Sequence, residues 1–80
     1  MFFKLAEAEI ARSRELHGNI HNAHEGLGIL EEEFWEFKLE VFKKHIDKKA
    51  MLEELVQVAA VCGKLAKDIG LLDESDEPIK

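Results

Sequence analysis

The chain has one cysteine, one proline and no tyrosine among its 80 residues. With Cys62 alone, no internal disulfide can form and no cysteine pair is available for zinc. Scarce proline, absent tyrosine and a hydrophobic content of 46% point to helices and away from sheets. No run of about 20 apolar residues occurs, so no membrane-spanning segment and no membrane partner are expected. Phe2 and Phe3 are followed by Lys4, Glu7 and Glu9, so no signal-peptide core is expected either. Positive charge is also in short supply. Eleven lysines and arginines face 17 aspartates and glutamates, for a formal net charge of -6, which argues against nucleic acid as a main partner. The default setting is the reducing cytoplasm.

A chain of this length forms one domain and buries only about 60% of its unfolded surface. Without disulfides, its remaining source of stability is association with other chains. The first helix is expected over Met1 to His17, with Phe3, Ala6 and Ile10 on one face and Gly18 as its stop. Asn22 with Glu25 three residues on has the spacing of a capping box. A second helix is then expected from Ala23 to about Lys43. Asp47 can cap a third, from about Lys48 to Ile69, that ends at Gly70. The fold class is therefore all-α, a three-helix chain that completes a helical bundle by oligomerisation. The helical domain covers residues 1–72, and the acidic, Pro-containing stretch 73–80 reads as a disordered tail.

What is abundant is acid, and it is concentrated. On a helical wheel Glu25, Glu32, Glu33, Glu36 and Glu40 fall within an arc of roughly 100°. Leu27, Leu30, Phe34, Phe37 and Val41 border that arc on one side. Gly28, Trp35, Leu39 and Phe42 border it on the other. An ordinary solvated face has no second apolar border, so the stretch Asn22 to Val41 is expected to organise the chain. The like-charge pairs Glu32/Glu36 and Glu36/Glu40 each destabilise an isolated helix by roughly 0.2–0.5 kcal/mol. A hard divalent cation would relieve that repulsion, and such ions choose carboxylate oxygens. The alternative is a face that only keeps the helix soluble. In the third helix, Glu54 projects into the apolar face of Val58, Val61 and Leu65, where a carboxylate is costly unless paired or bound to a metal. His17, His21 and His24 have a spacing that invites zinc, but Gly18, Asn19 and the Asn22 cap interrupt the helix that would align them.

His24-Glu25-Gly26, Glu32-Glu33-Phe34-Trp35-Glu36 and Glu53-Glu54-Leu55-Val56-Gln57 together resemble the MazG-like all-α nucleoside triphosphate pyrophosphohydrolases. The pattern there is E-x-x-E, a spacer, then E-x-x-D. Glu33 and Glu36 match the first half and Glu54 the start of the second. Gln57 stands where the pattern has aspartate, offering a neutral oxygen in place of an anion. The resemblance implies Mg²⁺, or Mn²⁺, held by Glu32, Glu33, Glu36, Glu54 and Gln57, with Glu33 or Glu36 orienting the attacking water. It implies cleavage between the α- and β-phosphates of a nucleotide, giving a monophosphate and pyrophosphate. His24 at the site edge, the lysines Lys43, Lys44 and Lys48, and Lys64 are the candidate substrate contacts, and Arg12 and Arg14 could steer phosphates. A homodimer or homotetramer is implied as well. The alternative function is a helical oligomer that has lost turnover through Gln57 and acts as a binding or assembly module.

Overall fold

The computed structural model describes residues 1–79; Lys80, the last residue of the expected acidic tail, lies outside the described residues. Three helices make up the architecture: α1 over Phe2–His17, α2 over Ala23–Val41 and α3 over Lys48–Asp68. Their ends follow the local chemistry of the sequence. Gly18 takes φ 73° and donates its N–H to Arg14 O at 2.9 Å, a conformation that a Cβ would oppose. The Asn22 side chain accepts the Glu25 N–H at 2.8 Å, and Asp47 accepts the Ala50 N–H at 3.1 Å. Each satisfies one of the orphan donors of a helix N-terminus. Helix α2 stops at Val41, two residues short of the expected Lys43. Phe42 beyond it is 75% exposed, so no apolar burial rewards a longer helix there.

Both α1 and α2 pack on α3, and neither packs on the other. The spine of the fold is therefore α3, where the sequence pattern had pointed to α2. The difference arises because α3 meets a neighbouring helix on each of two flanks. Ala60 and Val61 are buried, Gly63 admits Ile10 from α1, and Leu65 lies against Gly26 of α2. A Cβ on Gly26 would overlap Leu65 Cδ1 and come within 2.8 Å of Cδ2. The close approach of α2 to α3 thus requires glycine at that position. Asp68, near the end of α3, ties down the α1–α2 connector. It accepts from Arg14 at 2.6 and 2.9 Å and from the Ile20 N–H at 2.7 Å. Ile20 itself is 3% exposed.

The core consists of small and medium side chains: Ala6, Ile20, Ala60 and Val61. The aromatic residues of α2 remain outside it, with Phe34 58% and Trp35 55% exposed. Past α3 the chain turns back. Leu72 forms an isolated bridge with Pro78, and Asp73 Oδ1 accepts from Ser75 N, Ser75 Oγ and Glu77 N at 2.7–3.0 Å. No helix is long and apolar enough to cross a membrane among the described residues.

Candidate metal centre

Helix α2 carries Glu33, Glu36 and Glu40 at i, i+3 and i+7, which places them on one face. Packing that face toward α3 brings Glu54 to them. One oxygen each from Glu33, Glu36 and Glu54 lies within 4.8 Å of the others. At that separation two ionised carboxylates repel by about 3 kcal/mol for an effective dielectric constant of about 20. Burial and like-charge repulsion disfavour ionisation of Glu33 and Glu54. Burial first, then the charges of Glu36 and Glu54 and a hydrogen bond to Glu36, push the Glu33 carboxyl up to about 7. Burial, then Glu36 and Glu40, also raise Glu54. One oxygen each of Glu33, Glu40 and Glu54 is sealed from solvent and has no hydrogen-bond partner. Orphaned buried oxygens of this kind call for a proton, a water or a cation. An oxygen-only donor set suits Mg²⁺ or Mn²⁺ and does not suit a soft metal.

The other candidate residues are distributed around this cluster. Gln57 lines the same cavity as Glu33, beside Glu9 and Arg12. Three residues advance a helix by about 300°, so Gln57 is turned about 60° from Glu54, onto the flank that α1 covers. There it lies beside Glu9, whose carboxyl is held below the usual range chiefly by its hydrogen bond to Arg12. Glu32 is exposed and lines a cavity of about 420 Å³ together with Glu33, Arg12, Ser13 and Lys64. Lys64 is 6% exposed and donates to Ser13 Oγ at 2.6 Å. Lys43 pairs with Glu40 Oε2 at 2.7 Å, while Lys44 and Lys48 are exposed on the turn. His24 is exposed in the first turn of α2, about 14 Å of helical rise before Glu33. Arg14 is committed to Asp68.

The histidines do not assemble. Among the described residues, Glu33, Glu36 and Glu54 are the one group of three placed to hold an ion. His21 Nδ1 lies instead 3.0 Å from Glu25 Oε2. Of two further participants, Glu40 stood in the acidic arc without a ligand role and Glu9 was not singled out from the pattern. Glu40 belongs beside the cluster through its sealed oxygen, and its i+4 spacing from Glu36 was the available signal. Glu9 enters from α1 through Gln57 and Arg12, and no local pattern could have joined it to α3. Compared with protein families, curated proteins and solved structures, the chain matches no family model, no curated protein and no solved structure.

Proposed function

We propose that the chain is a Mg²⁺-dependent nucleoside triphosphate pyrophosphohydrolase, with the cation held by Glu33, Glu36 and Glu54. The observation that carries this reading is the convergence of three carboxylates from two helices with sealed, partnerless oxygens among them. The resemblance of the acidic spacing to the MazG-like pattern supplies the reaction class. A bound divalent ion offsets phosphate charge and lowers the pKa of an attacking water. The chain's own residues do the rest. Glu33, whose carboxyl is pushed up to about 7, takes the proton of the attacking water. Glu36, with an oxygen within 4.8 Å of both Glu33 and Glu54, completes the carboxylate set. Lys44 and Lys48 provide exposed positive charge that draws phosphates toward an otherwise acidic surface.

The same reading includes a homodimer or homotetramer. Leu27, Phe34, Trp35, Leu39 and Phe42 are each at least half exposed along α2. Leu27, Leu30, Phe34, Val58 and Cys62 line an apolar hollow of about 340 Å³ between α2 and α3. Apolar area on this scale marks an interaction surface. The second reading, a helical oligomer without turnover, is favoured by glutamine in place of aspartate at position 57, which leaves the acidic set one carboxylate short of the pattern. Pyrophosphate release from a panel of nucleoside triphosphates across a Mg²⁺ titration separates the two. The hydrolase reading expects Mg²⁺-dependent release that Glu36→Gln abolishes. Equal rates for wild type and Glu36→Gln would remove the carboxylates from the chemistry, and no release with any nucleotide would favour the second reading.

A further inference from the structure

Lys64 is the charged side chain that the reaction above does not use, and its surroundings are unusual. It is 6% exposed, yet it makes no ion pair among the described residues. Its hydrogen bond goes to Ser13 Oγ at 2.6 Å, and an ammonium has three protons to donate. A buried charge without a counter-ion is expensive, and the lysine stem could pack equally well as a methionine. The carboxylates around it are committed elsewhere. Glu9 is gripped by Arg12 through both oxygens. Asp68 is taken by Arg14 and the Ile20 N–H. Glu33 belongs to the acidic cluster, and Glu32 is exposed. The charge therefore borders a cavity of about 420 Å³ that Arg12, the three acids Glu9, Glu32 and Glu33, and apolar residues such as Ile20 and Val61 also line.

We propose that this cavity receives a phosphoryl group of the ligand, with Lys64 Nζ as the principal donor to its oxygens. Ser13 accepts from Lys64, so its own hydroxyl proton is free to donate to the same oxygen. Glu33 is shared between the cavity and the carboxylate cluster. A phosphoryl group, with oxygens on several sides, can face Lys64 and a cation on the cluster at once. The volume exceeds that of one phosphate and leaves room for a diphosphate. This inference deepens the nucleotide reading and rests on it only for the identity of the larger ligand.

The test is calorimetric titration of the full chain with inorganic pyrophosphate, with and without Mg²⁺. Wild type, Lys64→Met, Ser13→Asp and the exposed-lysine control Lys49→Met are compared, with helicity checked by circular dichroism. Lys64→Met is expected to weaken pyrophosphate binding by about 10- to 100-fold, the range for loss of a charge-assisted hydrogen bond. Its Mg²⁺ affinity should remain within about twofold of wild type, and Lys49→Met should bind pyrophosphate as wild type does. Ser13→Asp supplies Nζ with an internal carboxylate, so it should lose pyrophosphate by a similar factor while melting no lower than wild type. That second variant carries the test if Lys64→Met does not fold. Undiminished binding by the folded variants, or no binding by wild type under either condition, would overturn the proposal. Lys64-dependent pyrophosphate binding in a chain that hydrolyses no nucleotide would uphold the phosphoryl site and retire the nucleotide reading alone.

Discussion

The carboxylate cluster makes the stability of the chain depend on pH in a direction opposite to that of a salt-bridged acid. Glu33 titrates at about 7 in the folded state, raised from 4.5, so folding favours its protonated form. Its stabilising contribution is complete below about 4.5 and is lost as pH rises through about 7, above which the loss is constant. At full weight that interval corresponds to about 3 kcal/mol. Glu33 is only half-buried, and solvent screening reduces the effect to about 1–2 kcal/mol. For a domain of this size that is a melting-temperature difference of roughly 4–16 °C. The perturbation is Glu33→Gln, which keeps the shape of the side chain and removes its titration. Thermal melts of both proteins between pH 4.5 and 8.5 report Glu33 together with its coupling to Glu36 and Glu54, because histidines and acids away from the cluster cancel in the difference. The variant should match wild type near pH 4.5 and exceed it by the full amount at pH 8. Mg²⁺ at 100 times its dissociation constant should stabilise wild type at pH 8 by about 2.7 kcal/mol, and sodium at matched ionic strength should not. Parallel profiles for the two proteins across the whole range would show that Glu33 carries no shifted proton and would refute the reasoning.

Asp68→Ala should destabilise the chain by about 2–4 kcal/mol, because it strands Arg14 and the Ile20 N–H together; urea denaturation measures the loss. Gly28→Ala, which meets open space, should gain about 1 kcal/mol of helix propensity, whereas Gly26→Ala should lower the melting temperature as Leu65 is displaced. Equal melting shifts for the two glycine variants would contradict the packing of α2 on α3. Gln57→Asp should tighten Mg²⁺ binding, since it adds an anion to the cavity that Glu33 lines; an unchanged Mg²⁺ titration would place position 57 outside the metal site. Light scattering at micromolar concentration should give a dimer or tetramer, and Phe34→Glu should reduce the mass to that of a monomer.

Much of this was legible along the chain because it is decided locally. The Asn22 and Asp47 caps and the Gly18 stop depend on side chains within three or four residues of the backbone groups they serve. They set the helix ends to within two residues. The shared face of Glu33, Glu36 and Glu40 follows from helical periodicity alone. Periodicity tells which residues share a face and is silent on what that face meets. Only the packing of α2 on α3 determined that Glu54 would meet Glu33 and Glu36, and that packing depends on Gly26 admitting Leu65. Only the seating of α1 on the other flank of α3 directed Gln57 to Glu9, although it lies three residues from Glu54 in the sequence. The burial of Lys64 was decided the same way, by α1 and α3 meeting where Lys64 reaches Ser13, 51 residues away in the chain. Side-chain placement across helices is fixed by their relative rotation, and that rotation is a sum of long-range contacts that no local window contains.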